Sequence, residues 1–170
     1  MGFGGYFFTA YGYVPDYRFG LKTACKIDHQ GWFLEEPYTG KPVDVTDGGF
    51  VVVEDPHEYF KNKGTIEDDL KTFPGGPKVI AAIHCPPSGL NLDVCLGYRR
   101  VGSDSVRKWI EREQPLLVLC GHIHESPWVS NTWKAKLGNT TIIQPGQDNP
   151  GTVFVDIKIG KRVEAKRLVV

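Results

Sequence analysis

Nowhere in the 170 residues does an apolar run approach the roughly 18 positions of a membrane-spanning helix. The opening stretch, Met1 to Phe8, has neither a basic start nor a long apolar middle, so no secretory leader is read there. Charge of one sign is missing too: 20 Lys and Arg stand against 20 Asp and Glu. That balance argues against a general nucleic-acid or membrane-surface binder and leaves room only for a local basic patch. The cysteines Cys25, Cys85, Cys95 and Cys120 form no Cys-x-x-Cys pair, and a chain of this length needs no disulfide framework. Repeats, low-complexity tracts and interdomain linkers are absent. The chain therefore reads as one cytoplasmic domain over residues 1–170, long enough to bury a substantial core.

Against these absences stands one stretch, Pro115-Leu-Leu-Val-Leu-Cys-Gly-His-Ile-His-Glu125. Leu116 to Cys120 is a short unbroken apolar run, the pattern of a strand buried on both faces. Open α/β sheets bind ligands where the chain leaves the carboxyl ends of such strands. Gly121 carries no side chain and lets an ion or phosphate approach the backbone. His122 and His124 share a face in extended chain, while a small turn aims them at two adjacent ions. Imidazole is a common ligand of zinc, iron and related metals. A lone His-x-His is more often an ordinary pair of polar residues. Here the preceding glycine, the strand end and a third histidine favour a metal site. That third residue, His84, closes the apolar run from Lys78 to Ile83 and precedes Cys85 and the stiff Pro86-Pro87. Cys85 and Cys120 read as small buried residues packing behind the site, or alternatively as ligands.

The remaining elements fall on either side of this pair of motifs. Residues 1–77 read as a loop-rich amino-terminal segment and residues 78–170 as an α/β lobe. Residues 1–20 are dense in glycine and aromatics without helical period, Val14-Pro15-Asp16 reads as a turn, and 31–49 is rich in turn residues. Phe50 to Val53 is a candidate short strand. Thr65 to Phe73 predicts a short helix capped by Thr65 with Glu67 and Asp68 in its first turn. His29 reads as a surface or half-buried residue and His57 as a solvated one. Ser103 to Glu113 predicts a helix capped by Ser103, its apolar stripe formed by Val106, Trp109 and Ile110. Strands are predicted over 78–83, 116–120, 140–143, 153–159 and 163–170, with Gly160-Lys161 turning a hairpin that closes the sheet antiparallel. Arg99 and Arg100, in the turn-rich stretch 86–102, are candidate phosphate contacts; the competing reading is two solvated loop arginines.

Three segments together resemble the calcineurin-like metallophosphoesterases: Ile83-His84-Cys85-Pro86-Pro87, Gly121-His122-Ile123-His124, and Asn139 to Gln147 with its Pro145-Gly146. Tyr11-Gly-Tyr-Val-Pro15 is similar to a loop that follows the Asn-His motif in some members. The resemblance covers residues 78–170 and implies half of a metallophosphoesterase-type β-sandwich flanked by helices, an α/β fold with a mixed sheet. It implies that His84 and His122 bind one metal and His124 the other, in a centre of manganese, iron or zinc. It implies a phosphoester substrate, attacked by metal-bound hydroxide.

The sequence departs from that family in lacking its Gly-Asp and Gly-Asn-His motifs, and the Asp-x-His string it does hold, Asp55-Pro56-His57, reads as part of a solvated acidic stretch rather than as the family's metal-binding motif. Asp28-His29 has the wrong spacing, and neither Asn131 nor Asn139 is followed by histidine. The expectation is a truncated phosphoester hydrolase holding at most one metal, inactive or very slow by itself. It is expected to act as a homo-oligomer or with a complementing chain, because the apolar positions Ile142, Val153, Val155, Ile157, Val163 and Val169 otherwise leave an open face. Two alternatives stand beside it. One is a non-catalytic metal-binding or structural protein of the same descent. The other is a mononuclear zinc hydrolase with three histidine ligands.

Overall fold

The computed structural model describes residues 2–147 and 151–170. In chain order it runs β1 (Gly2–Phe3), β2 (Tyr6–Tyr11), β3 (Val14–Pro15), β4 (Phe19–Leu21), β5 (Cys25–Lys26), β6 (Thr39–Thr46), β7 (Gly49–Val52), α1 (Pro56–Lys61), α2 (Ile66–Leu70), β8 (Val79–Ile83), α3 (Asp104–Glu113), β9 (Leu117–Leu119), α4 (Ser126–Ser130), β10 (Lys134–Leu137), β11 (Thr140–Ile143), β12 (Val153–Ile159) and β13 (Val163–Val169). No described helix is long and apolar enough to cross a membrane.

A six-stranded mixed sheet in the order β1-β2-β8-β9-β11-β10 organises the molecule. Strands β2, β8, β9 and β11 are parallel, and the outer β1 and β10 are antiparallel to their neighbours. Side chains on a strand alternate between faces, and each face of this sheet has its own core. On one face Val79, Ala81, Ile83, Val118 and Ile142 meet α2 and α3 through Ile66, Leu70, Val106, Trp109 and Ile110. On the other, Ile80, Leu117 and Ile143 meet the β12-β13 hairpin through Val155, Ile157, Ile159, Val163 and Ala165.

Both helix starts form as their sequences predict. Thr65 accepts from the Asp68 amide and Ser103 from the Val106 amide. A long-range contact strengthens the second start: Asp28 accepts from the Ser103 hydroxyl at 2.5 Å and from the Asp104 and Ser105 amides at 2.9 and 3.3 Å. A buried carboxylate thus faces the amino terminus of α3, where the helix dipole favours negative charge.

Five expectations need correction. Residues 6–11 are not loop: β2 pairs with β8 in parallel from Phe7↔Val79 to Tyr11↔Ile83, so the amino-terminal segment supplies a strand of the central sheet. Val14-Pro15 is not a turn but pairs with Cys25-Lys26, and the turn-rich stretch 31–49 contains β6, which pairs with β4 and β7. The β12-β13 hairpin does not extend the central sheet; it is a separate two-stranded sheet laid across that sheet's face, with Gly160 to Arg162 as its connection. The apolar face expected to stand open is therefore divided. Ile142 points to the helices, Val155, Ile157 and Val163 pack on the sheet, and Val169 stays exposed.

Candidate metal centre

The parallel ladder continues past the ends of the strands, and this continuation builds the site. The His84 amide donates to the Tyr11 carbonyl at 2.9 Å, and the Gly121 amide to the His84 carbonyl at 3.0 Å. Tyr11, His84 and Gly121 consequently stand side by side at the carboxyl edge of β2, β8 and β9. A Cβ on Gly121 would lie 3.3 Å from Nδ1 of His84, so the absent side chain is what lets that ring lie close against the backbone. The chain then turns sharply. The Ile123 amide donates to the Gly121 carbonyl at 2.8 Å, with φ of 68° at His122 between them. A three-residue turn with positive φ at a non-glycine residue is strained and needs surrounding structure to hold it.

Gln144 holds it. This side chain, 1 % exposed, follows β11 and donates from Nε2 to the carbonyls of Gly121 and, at 3.0 Å, Ile123. Its Oε1 has no partner among the described residues. Behind the turn, Cys85 and Cys120 are buried and free, and burial pushes both thiols well above their ordinary range. They pack behind the site as neutral thiols; metal ligation requires the thiolate.

The imidazoles of His84 and His122 lie 5.1 Å apart between ring centroids, at 67°. His122 is half-buried, whereas His84 and His124 are exposed. Burial lowers the pKa of His84, and the charge of His124 lowers it further. Burial also pushes His122 down to about 4, helped by His84 and His124 and opposed by Glu125. Both shifts favour the neutral ring, the form that offers a lone pair to a metal. His122 also meets Tyr17 at 5.2 Å and 76°, and Tyr17 in turn meets Phe19 at 5.8 Å.

The three histidines share one sheet edge, but they do not bring one nitrogen each within 4.8 Å of one another. Among the described residues, that closeness is reached by Asp28, His29 and Asp104. Asp28 there is the cap of α3, with both carboxylate oxygens already accepting hydrogen bonds. His29 is half-buried and His57 is exposed in the first turn of α1.

Both arginines of the 95–102 loop line a cavity of about 710 Å³ that opens beside His122. Arg99 pairs with Glu36, which Arg18 also approaches at 3.6 Å. Arg100 reaches Asp93 at 3.5 Å and donates to Asn91 at 2.8 Å. Two residues of this site escaped the sequence reading. Gln144 ends a parallel strand as His84 does, a position that could have drawn attention to it. Tyr17 has no local signal, since its contact with His122 spans most of the chain. Comparison with protein-family models, with curated proteins and with solved structures finds no match.

Proposed function

We propose that the chain carries the histidine half of a calcineurin-like metallophosphoesterase centre, with His84, His122 and His124 holding a divalent zinc, manganese or iron ion and a phosphoester as substrate. One observation carries this reading: neighbouring parallel strands deliver His84 and the His122–His124 pair to one carboxyl edge, where ligands of α/β sheets gather. The donors fit one ion in kind, two of them neutral imidazoles, and the exposed His84 and His124 have space to rotate toward it. They do not fit two ions. Three carboxylates near the motifs are engaged: Asp16 by Lys22 and Tyr38, Asp93 by Arg100 and the Gly102 amide, and Glu125, which directly follows His124, by the Leu96 amide.

A bound ion would supply a water of lowered pKa and positive charge against the phosphoryl oxygens. The protein's own residues bind and orient: Gln144 sets the Gly121–Ile123 turn, and Tyr17 limits rotation of the His122 ring. The sheet and hairpin packed face to face, with helices outside, support the finer reading of a metallophosphoesterase-type sandwich. The four free cysteines support a cytoplasmic setting. A homo-oligomer or a complementing chain would supply the missing carboxylate ligands. The carboxylate-poor donor set favours one second reading, a mononuclear three-histidine zinc hydrolase.

Calorimetric titration of the metal-free chain with zinc, and separately with manganese, tests the proposal. About one equivalent is expected to bind and His122→Ala to abolish binding. Folded protein that takes up neither metal at neutral pH would overturn it.

A further inference from the structure

The cavity beside His122 has a composition that the metal reading does not explain. Its volume of about 710 Å³ lies in the range of small-molecule sites, roughly 300–1,000 Å³. Four aromatic side chains stand in its wall, Tyr17, Phe19, Trp32 and Phe33. Phe19 and Phe33 are 56 % and 58 % exposed, far more than aromatic rings of a closed core. These rings also join the histidines. Phe19 meets Tyr17, Tyr17 meets His122, and His122 meets His84, each pair edge to face at 5.1–5.8 Å between centroids. One unbroken aromatic wall therefore runs from the cavity into the histidine edge.

The charges around this wall are largely spent on one another. Glu36 is shared by Arg18 and Arg99, Arg100 is bound to Asp93 and Asn91, and Asp16 is bound to Lys22. Glu125 accepts from the Leu96 amide at 3.2 Å. A nucleic-acid strand draws its affinity from a row of free cations along its backbone, and no such row lines this cavity. A flat apolar ring, by contrast, gains from every face it covers here.

We infer that the cavity is the binding site for the non-phosphate part of the substrate, and that this part carries a planar aromatic ring, an aryl group or a nucleobase. The ring lies against Trp32 and Phe33 while its phosphoester reaches along Tyr17 to the histidines. This inference rests on the histidine edge being the phosphoester site, but the aromatic selectivity belongs to the cavity and can be read without catalysis.

Equilibrium binding of phenyl phosphate, adenosine 5′-monophosphate and glycerol 3-phosphate to the full chain, with and without zinc, tests it. At least one aromatic phosphoester is expected to bind about tenfold more tightly than glycerol 3-phosphate, equivalent to about 1.4 kcal/mol. Phe33→Ala, at an exposed position, and Trp32→Ala are each expected to shrink that preference toward unity without altering zinc uptake. Preference for adenosine monophosphate over phenyl phosphate would identify a nucleobase; the reverse, a simple aryl group. Aromatic preference that persists in a chain unable to bind zinc would leave the cavity assignment standing and the metal reading refuted. Equal binding of all three probes, no binding of any by zinc-loaded protein, or a preference untouched by both variants would overturn the inference.

Discussion

Gly146 stands directly against the backbone of His124: a Cβ built on it would fall 2.6 Å from the His124 carbonyl oxygen and equally close to the Pro127 ring. Its φ of 65° adds the left-handed conformation that side chains resist. The neighbouring Gln147 amide donates to the same carbonyl at 2.9 Å, so the Pro145-Gly146 turn is what seats the second histidine of the pair. Gly146→Ala is expected to cost about 2–4 kcal/mol from strain and overpacking together. Urea denaturation measures the loss, and a variant within about 0.5 kcal/mol of the parent would show that the turn relaxes freely.

A second expectation concerns Asp28 and pH. Burial raises its pKa above the ordinary carboxylate value, against the opposing hydrogen bonds from Ser103, Ser105 and Asp104. The folded chain thus holds this proton more tightly than the unfolded chain. Its contribution to stability is fully present below the unfolded pKa of about 3.9 and is lost as pH rises through the raised folded value. Asp28→Asn is expected to remove that part of the pH slope. It is also expected to cost about 1–3 kcal/mol near neutrality, because an amide cannot accept from all three donors at the start of α3. Denaturation of parent and variant from pH 3.5 upward isolates the difference, and parallel curves would count against it.

What could be read from the sequence divides along physical lines. The strands β8 and β9 are short apolar runs, β11 is a buried β-branched run, and α3 shows both its cap and its stripe, so local pattern suffices. The histidines were legible because they follow such strands. Strand β2 was not: Tyr-Phe-Phe-Thr-Ala-Tyr shows no alternation, and its partner β8 lies about 70 residues away. Pro42 and the left-handed Gly40 disguised β6 as loop. The fully buried Lys22 and the capping role of Asp28 depend on partners that no local window contains.

Lys22 supplies a third expectation. It is wholly buried and donates from Nζ to Asp16 at 2.8 Å and to the carbonyls of Tyr17 and Phe19 at 2.5 and 2.7 Å. The ammonium also sits 4.3 Å from the centroid of Tyr38. Lys22→Met would leave Asp16 charged and unpaired in the interior and is expected to cost about 3–5 kcal/mol. Asp16→Asn with Lys22→Met should cost less than the two single changes added together, since the stranded charge is then gone. Strict additivity in urea denaturation would mean that the pair is not coupled.

The last expectation is about turnover. A dinuclear phosphoesterase stabilises both the attacking and the leaving oxygen by placing two ions a few ångströms apart, which requires a carboxylate to bridge them. Beside the imidazoles the histidine edge has one carboxylate close by, Glu125, which accepts from the Leu96 amide at 3.2 Å. Asp16 is held by Lys22, Tyr38 and the Tyr17 amide, and releasing it would strand a buried ammonium. Asp93, fully buried, is held by Arg100 and by the Gly102 amide at 3.3 Å. Neither can swing to the sheet edge without breaking such contacts. Hydrolysis of an aryl phosphate by the pure chain with manganese is therefore expected to stay within about tenfold of the rate with manganese alone. Sustained turnover well above that level would refute the single-ion site. If Asp16→Asn or Asp93→Asn then abolished it, with zinc uptake intact, one of these carboxylates would be the recruited bridge.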